Sequence, residues 1–319
     1  MYVSGWPIAL LLFHLFETAS SKEDLCPLMI SPSRMVVRFG DPVSANCSLP
    51  RTCVSTLGWD VSAGADTLAS ASYLVWKVHH LTEWSVKPIC FTLSEIGEYH
   101  YSQLDLTVYQ PPVSVSIHMN FSGPLLENHQ YTVQCHVQDV APAENLTVTF
   151  YRGQMALGPP QFSTFISRTP VTEIFTQSFI TSREDDGEQY WCEAKLELGP
   201  EGPQPPPVVR SQYLTATVHF GPDLLCPQFQ QVREGEPLSC EVTGNPSPEV
   251  TWLRNGQTVA PPIYPSRAYA GEYTLIAAGA VKQIEYTLEV EILTARGTSN
   301  LHSWHFLVTV MLIQSICWL

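Results

Sequence analysis

Between residues 24 and 292, apolar and polar positions alternate in short runs, and no long segment repeats with the 3.6-residue period of a helix. The runs are Ser44–Cys47, Gln103–Tyr109 (QLDLTVY), Tyr131–Val137 (YTVQCHV), Leu146–Tyr151 (LTVTFY), Tyr213–Phe220 (YLTATVHF), Val250–Leu253 and Ile284–Ile292 (IEYTLEVEI). Successive side chains on a strand point to opposite faces, so this alternation predicts half-buried β-strands. Proline and glycine punctuate the runs, as expected of antiparallel β-sandwiches, and the predicted fold class is all-β. Proline clusters follow strand-like runs at Val108-Tyr109-Gln110-Pro111-Pro112 and at His219-Phe220-Gly221-Pro222. They divide the chain into three units, about 24–110, 111–220 and 221–292. The first two approach the ~100 residues of an immunoglobulin-type sandwich, and the third is shorter.

The ends read differently. Trp6–Phe16 (WPIALLLFHLF) is an apolar run too short to span a bilayer, and the small residues Thr18-Ala19-Ser20 follow it. Residues 1–20 read as a secretory signal peptide. At the other end, Phe306–Leu319 (FLVTVMLIQSICWL) would make a helix about 21 Å long, against a hydrocarbon core of roughly 30 Å. Small residues around Ala295-Arg296-Gly297-Thr298-Ser299-Asn300 precede this tail. Residues 301–319 therefore read as a GPI-attachment signal, with a single-pass transmembrane segment as the alternative. Both readings place the protein on the extracellular face of the cell membrane.

Composition narrows the function. Thirty acidic against sixteen basic residues, a net charge of −14, leave no basic surplus for nucleic acid. Charged residues make up 14% and hydrophobic residues 45%, which excludes a disordered polyelectrolyte. No HExxH, GxSxG, CxxC or phosphate-cradling glycine loop occurs, so neither an enzyme, a cofactor nor a small-molecule substrate is expected.

Secretion makes the cysteines candidates for disulfides. Of nine, Cys317 lies in the apolar tail, and the other eight divide four, two and two among the units. Pairing within units gives Cys135–Cys192 and Cys226–Cys240 and leaves three arrangements in unit one. Cys47–Cys90, which spans the strand B to strand F interval, with Cys26–Cys53 is the pairing chosen. Asp186–Cys192 (DGEQYWC) sets Tyr190 two before a cysteine, the tyrosine-corner position, where the phenol bonds back to the backbone. In unit three Trp252 follows Cys240 by twelve residues, the spacing of the buried strand-C tryptophan, and Gly271-Glu272-Tyr273-Thr274-Leu275 repeats the corner with Leu275 in place of the second cysteine. That unit lacks the central staple and is expected to be the least stable.

These residues carry a resemblance. Ser31-Pro32-Ser33-Arg34 through Gly40-Asp41-Pro42-Val43 to Cys47 and Cys53 is similar to the first domain of the intercellular adhesion molecules, and of fish-like members in particular. The segment from Cys135 through Ala141-Pro142 and Asn145 to Arg152-Gly153, with Cys192 to Gly202, resembles the second domain. Cys240 through Gly244-Asn245-Pro246 to Leu253-Arg254-Asn255-Gly256 resembles the membrane-proximal last domain. The family's first domain usually carries a further cysteine shortly after the Cys90 position. Here Phe91-Thr92-Leu93-Ser94-Glu95 has none, and Cys26 is the available partner for Cys53.

The resemblance implies cell–cell adhesion through leukocyte β2-type integrins. In the family, an acidic residue at the end of strand C in the first domain completes the coordination of the integrin's own Mg²⁺. Leu57-Gly58-Trp59-Asp60 falls on that motif. Asp60 takes the acidic position, often glutamate in the family, with Trp59 and Gly58 beside it and Trp59 expected to add contact area. Asp60 would be a ligand only to the partner's metal, since Mg²⁺ takes near-octahedral oxygen coordination and one carboxylate replaces one water. On residue type alone, an Asp in a turn is a solvated residue. A surface receptor or decoy for a soluble or microbial ligand, without integrin binding, is the alternative.

Three N-glycosylation sequons occur, at Asn46, Asn120 and Asn145. Alternation points Asn46 away from buried Cys47 and Asn145 away from Leu146, Val148 and Phe150. The acidic run Glu184-Asp185-Asp186 reads as a solvated turn.

Overall fold

The computed structural model describes residues 27–293, apart from 52, 54, 55, 65, 66, 94–96 and 98. The expected signal peptide, Cys26 and the 301–319 tail lie outside the described residues. Among those residues, no helix is long and apolar enough to cross a membrane.

Among the described residues the first unit holds nine strands: β1 (Met29–Ser31), β2 (Arg34–Arg38), β3 (Val43–Ser48), β4 (Thr56–Asp60), β5 (Thr67–Ala69), β6 (Tyr73–Val78), β7 (Ile89–Leu93), β8 (Tyr99–Gln103) and β9 (Asp105–Tyr109). One sheet runs β1-β3-β6, a second β5-β4-β7-β8, and β2 pairs with β9 in parallel. Inward residues of both sheets meet in one core containing Val43, Ala45, Leu57, Trp59 and Trp76, crossed by the Cys47–Cys90 disulfide. The alternating run Gln103–Tyr109 is not one strand. Leu104, 1% exposed, drops into the core between β8 and β9, and the chain changes sheet there.

The second unit contains β10 (Ser114–Met119), β11 (Leu125–Leu126), β12 (Gln130–Val140), β13 (Leu146–Arg152), β14 (Met155–Ala156), β15 (Gln161–Phe162), β16 (Val171–Ile180), β17 (Gln189–Leu196), β18 (Val208–Arg210), β19 (Leu214–Thr215) and β20 (Val218–Leu225). Sheet β10-β12-β16 packs on sheet β14-β13-β17-β18, and the Cys135–Cys192 disulfide joins them. The corner departs from expectation. The Tyr190 hydroxyl makes no backbone hydrogen bond and lies at an ion pair between Arg152 and fully buried Asp185. Burial, with the Asp185 charge, raises the phenol above its ordinary pKa. Asp185 is therefore no solvated turn residue: it also accepts from the Ser182 backbone N–H at 2.7 Å, and these partners offset its desolvation.

The third unit holds β21 (Phe229–Arg233), β22 (Glu241–Asn245), β23 (Glu249–Arg254), β24 (Gln257–Val259), β25 (Gly271–Ala278) and β26 (Gln283–Leu293). The main sheet runs β21-β26-β25-β23-β24, and β22 pairs with β20. Trp252 stands directly opposite Leu275 in a core of Trp252, Tyr273, Leu275, Leu288 and Val290. Cys240 is bonded to Cys226, and Tyr273 donates its hydroxyl to the Tyr269 carbonyl at 2.8 Å, a complete corner.

Two junctions link these cores. At the first, Gln110 pairs with Ala141 as a β-bridge and donates its side chain to the Asp139 carbonyl at 2.7 Å. At the second, the Gly221-Pro222 step expected to close unit two lies inside β20, which runs unbroken from one core to the next. Arg183 lies over the Phe220 ring and bridges Glu127 and Asp223, each at 2.8 Å. Gly221 permits the close approach: its φ is 77°, and a Cβ there would stand 2.8 Å from Gly244 Cα and Thr243 O.

Candidate functional site

The segment carrying the sequence candidates is β4. Its residues alternate: Leu57 and Trp59 face the core at 0% and 1% exposure, and Asp60 faces out. Trp59 stands opposite Cys90, tilts against Trp76 at 6.1 Å, and donates its indole N–H to the Leu74 carbonyl at 3.0 Å. Trp76 donates in turn to the Ala63 carbonyl at 2.9 Å. Two anchored indoles and a disulfide thus fix the strand that ends in Asp60. Asp60 is exposed and, among the described residues, its carboxylate has no hydrogen-bond or ion-pair partner.

This corrects the roles expected of two neighbours. Trp59 cannot supply contact area, because its side chain is core. Gly58 is itself covered: a Cβ there would lie 2.3 Å from Phe91 Cζ, so the phenyl ring rests on the glycine. Of the three candidates, Asp60 alone reaches the surface. The signal for Trp59 was in the sequence, since it follows Cys47 by the same twelve residues that separate Cys240 from Trp252.

The outer face of this sheet is apolar. Leu68, Gly58, Phe91 and Tyr101 stand in one row across β5, β4, β7 and β8, and Thr56, Leu93 and Tyr99 in another. Leu68 and Tyr101 are each 65% exposed, Tyr99 53% and Leu93 42%. The rings form a chain, Phe91 to Tyr99 at 5.6 Å and Tyr99 to Tyr101 at 6.0 Å. Asp60, Ile89 and Gln103 make the next row, about 7 Å along the strands from the Gly58 row. A contiguous exposed apolar face is a candidate interaction surface, and exposed tyrosines are favoured in binding hot spots. Sequence reasoning missed this face because strand register, which local alternation does not reveal, brings its members together.

A single carboxylate can fill one position on a metal held elsewhere, but it is too few ligands to hold one alone. Among the described residues, no group of three or more His, Cys, Asp or Glu could hold a metal ion.

The remaining sites divide. Asn120 is exposed after β10. Asn145 is half-buried at the end of a 3₁₀ turn (Ala143–Asn145) and alternates with buried Leu146, Val148 and Phe150 as expected. Asn46 departs from expectation: it is half-buried, and its side-chain carbonyl is enclosed without a partner, because β3 lies between β1 and β6. Cys53 is disulfide-bonded, and Cys26, its expected partner, lies outside the described residues.

Comparison with known proteins follows the same lines. The immunoglobulin I-set domain matches residues 226–292. Human intercellular adhesion molecule 4 is 26% identical over 171 residues, 53% of this chain and 61% of that protein. Human intercellular adhesion molecule 3 is 24% identical over 232 residues, 68% of this chain and 39% of that protein. The chain thus spans less than two thirds of the length of either relative. The crystal structure of the ICAM-5 D1–D4 ectodomain fragment superposes with a TM-score of 0.51 at 19% identity, covering 84% of this chain and 77% of that one, a likeness of fold.

Proposed function

We propose that this chain, an intercellular-adhesion-molecule-like member of the immunoglobulin superfamily, is a cell-surface adhesion glycoprotein whose first unit docks a leukocyte β2-type integrin. The observation that carries this reading is Asp60: an exposed carboxylate without a partner, at the end of a core-anchored strand and beside an uncovered apolar sheet face. The division of labour is physical. Leu68, Leu93, Tyr99 and Tyr101 supply apolar area that is desolvated on docking. Asp60 supplies one hard oxygen ligand, replacing a water on the partner's Mg²⁺. No metal needs to bind this chain beforehand. Anchoring to the outer membrane face falls to the 301–319 tail, and the second and third units carry the first away from it.

The test is binding of the purified ectodomain to leukocyte β2 integrins in Mg²⁺ and in EDTA, beside an Asp60→Ala variant. Binding that requires the cation and is lost in the variant supports the proposal. Undiminished binding by a folded Asp60→Ala variant refutes the assignment of the site, and cation-independent binding refutes the integrin reading itself.

A further inference from the structure

Between the first and second units lies a shallow, open-sided cleft of about 70 Å³. Trp84, Leu106 and Val108 line it from one side, and Glu144, Asn145 and Arg168 from the other. One face of Trp84 is stacked on Phe39, with centroids 4.1 Å apart and planes 12° from parallel, so the indole is held as a platform. Neither Glu144 nor Arg168 has a hydrogen-bond or ion-pair partner among the described residues. Asn145 begins the sequon Asn145-Leu146-Thr147. Its side-chain nitrogen donates to the Glu197 carbonyl at 2.6 Å, which uses one of its two N–H groups and fixes the amide.

We propose that the Asn145 glycan is seated in this cleft, with its first N-acetylglucosamine against Trp84, and braces the first unit on the second. In the attachment step, Asn145 Nδ2 bonds to the anomeric carbon of the sugar. The bond from that carbon to the diphosphate of a lipid-linked donor breaks, and Nδ2 loses a proton. The remaining N–H still serves the Glu197 carbonyl. A pyranose offers an apolar C–H face and a rim of hydroxyl and acetamido groups. The cleft offers an aromatic plane and a polar rim of Thr107, Glu144 and Arg168, the last two with unused hydrogen-bonding capacity, while the Leu106 and Val108 side chains turn into the first unit's core. The direct junction contacts, through Gln110, Asp139 and Ala141, leave this cleft unfilled. A sugar filling it would restrict rocking of the first unit and so fix the direction in which the Asp60 face points.

The Asn120 sequon, on an exposed loop, is an internal control. The experiment is site-resolved mass spectrometry of the secreted ectodomain during native digestion with peptide N-glycosidase. The Asn145 glycan is expected to be released about tenfold more slowly than the Asn120 glycan, and Trp84→Ala to abolish the difference. Because Trp84→Ala also disturbs Phe39, a second variant is needed. Thr147→Ala removes the sequon but leaves Asn145, and it should speed amide exchange in residues 81–86 about tenfold. Equal release at both sites, an unglycosylated Asn145 beside a glycosylated Asn120, or unchanged exchange in Thr147→Ala would each overturn the proposal. Absence of glycan at both sites would instead count against the cell-surface reading on which the proposal rests.

Discussion

The first two units present corresponding sheet faces in opposite states. Each places one core residue of its third main strand opposite the distal disulfide cysteine: Trp59 opposite Cys90, and Phe150 opposite Cys192. The next residue points outward. In the second unit it is Tyr151, stacked on Trp191 at 4.2 Å, with Arg210 lying over Trp191 and paired to Glu193 at 2.8 Å. At this position the aromatics stack on one another and the charges pair, although Phe162, opposite Thr147 on the same face, is 70% exposed. In the first unit the equivalent residue is Asp60, which has no partner among the described residues, and the rings beside it are exposed. In the third unit it is Leu253, half-buried. One framework thus covers this position in the second and third units and leaves it open in the first, and the open one is the natural candidate for a ligand. Fold alone does not make that distinction; side chains at one register position do.

Replacing the open face's distinguishing groups should break the comparison in graded steps. Asp60→Ala should have the largest effect, a loss of Mg²⁺-dependent integrin binding of at least about thirtyfold, measured by surface plasmon resonance. Its melting temperature should not move, since no intramolecular contact is lost. Next, Tyr101→Ala and Phe91→Ala remove apolar contact and should each cost binding roughly tenfold. The cation requirement should survive in both, which separates desolvated area from metal coordination. Gly58→Ala should act more weakly and indirectly. The added methyl needs the space the Phe91 ring occupies, so the ring must swing out or the strand must shift. Overpacking of this kind typically costs about 1–3 kcal/mol of stability, readable by chemical denaturation. Binding should fall severalfold, because the aromatic surface loses its position.

How much of this was legible in sequence depended on whether the signal was local. Alternation gave the strands, and the interval from Cys135 to Cys192, with Tyr190 two before the second cysteine, pointed to the sandwich. Leu275 in the third unit correctly marked a core without a central staple, because Trp252 stands directly across from it. The same spacing rule would have placed Trp59 inside, since Cys47 precedes it by twelve residues. Applied in one unit and not the other, it left a core residue assigned to the surface. Asp185 was misread for a different reason: an acidic run looks solvated until its cation is known, and Arg152 is 33 residues away in sequence. The open face was not readable at all, because Leu68, Phe91, Tyr99 and Tyr101 are ordinary strand residues until register aligns them.

The second unit supplies the control that sharpens the comparison most cleanly. If its face is self-satisfied rather than merely unused, Trp191→Ala should leave integrin affinity unchanged yet destabilise its own unit. The indole stacks on Tyr151, lies under Arg210, meets Tyr213 edge-on at 6.2 Å, and donates to the Gly153 carbonyl at 2.8 Å. Its removal uncovers Tyr151 and frees a strand-end carbonyl, a loss of about 1–3 kcal/mol for a half-buried aromatic with a hydrogen bond. Arg210→Ala is the smallest change in the series. Its ion pair with Glu193 is solvent-exposed on the arginine side, so the melting temperature should not shift resolvably, and salt should not alter that outcome. The two variants together separate what holds the face closed. Trp191→Ala lowering stability while Arg210→Ala does not would assign the closure to stacking and the indole hydrogen bond. A gain of cation-independent integrin binding in Trp191→Ala would show that covering this face is what confines docking to the first unit.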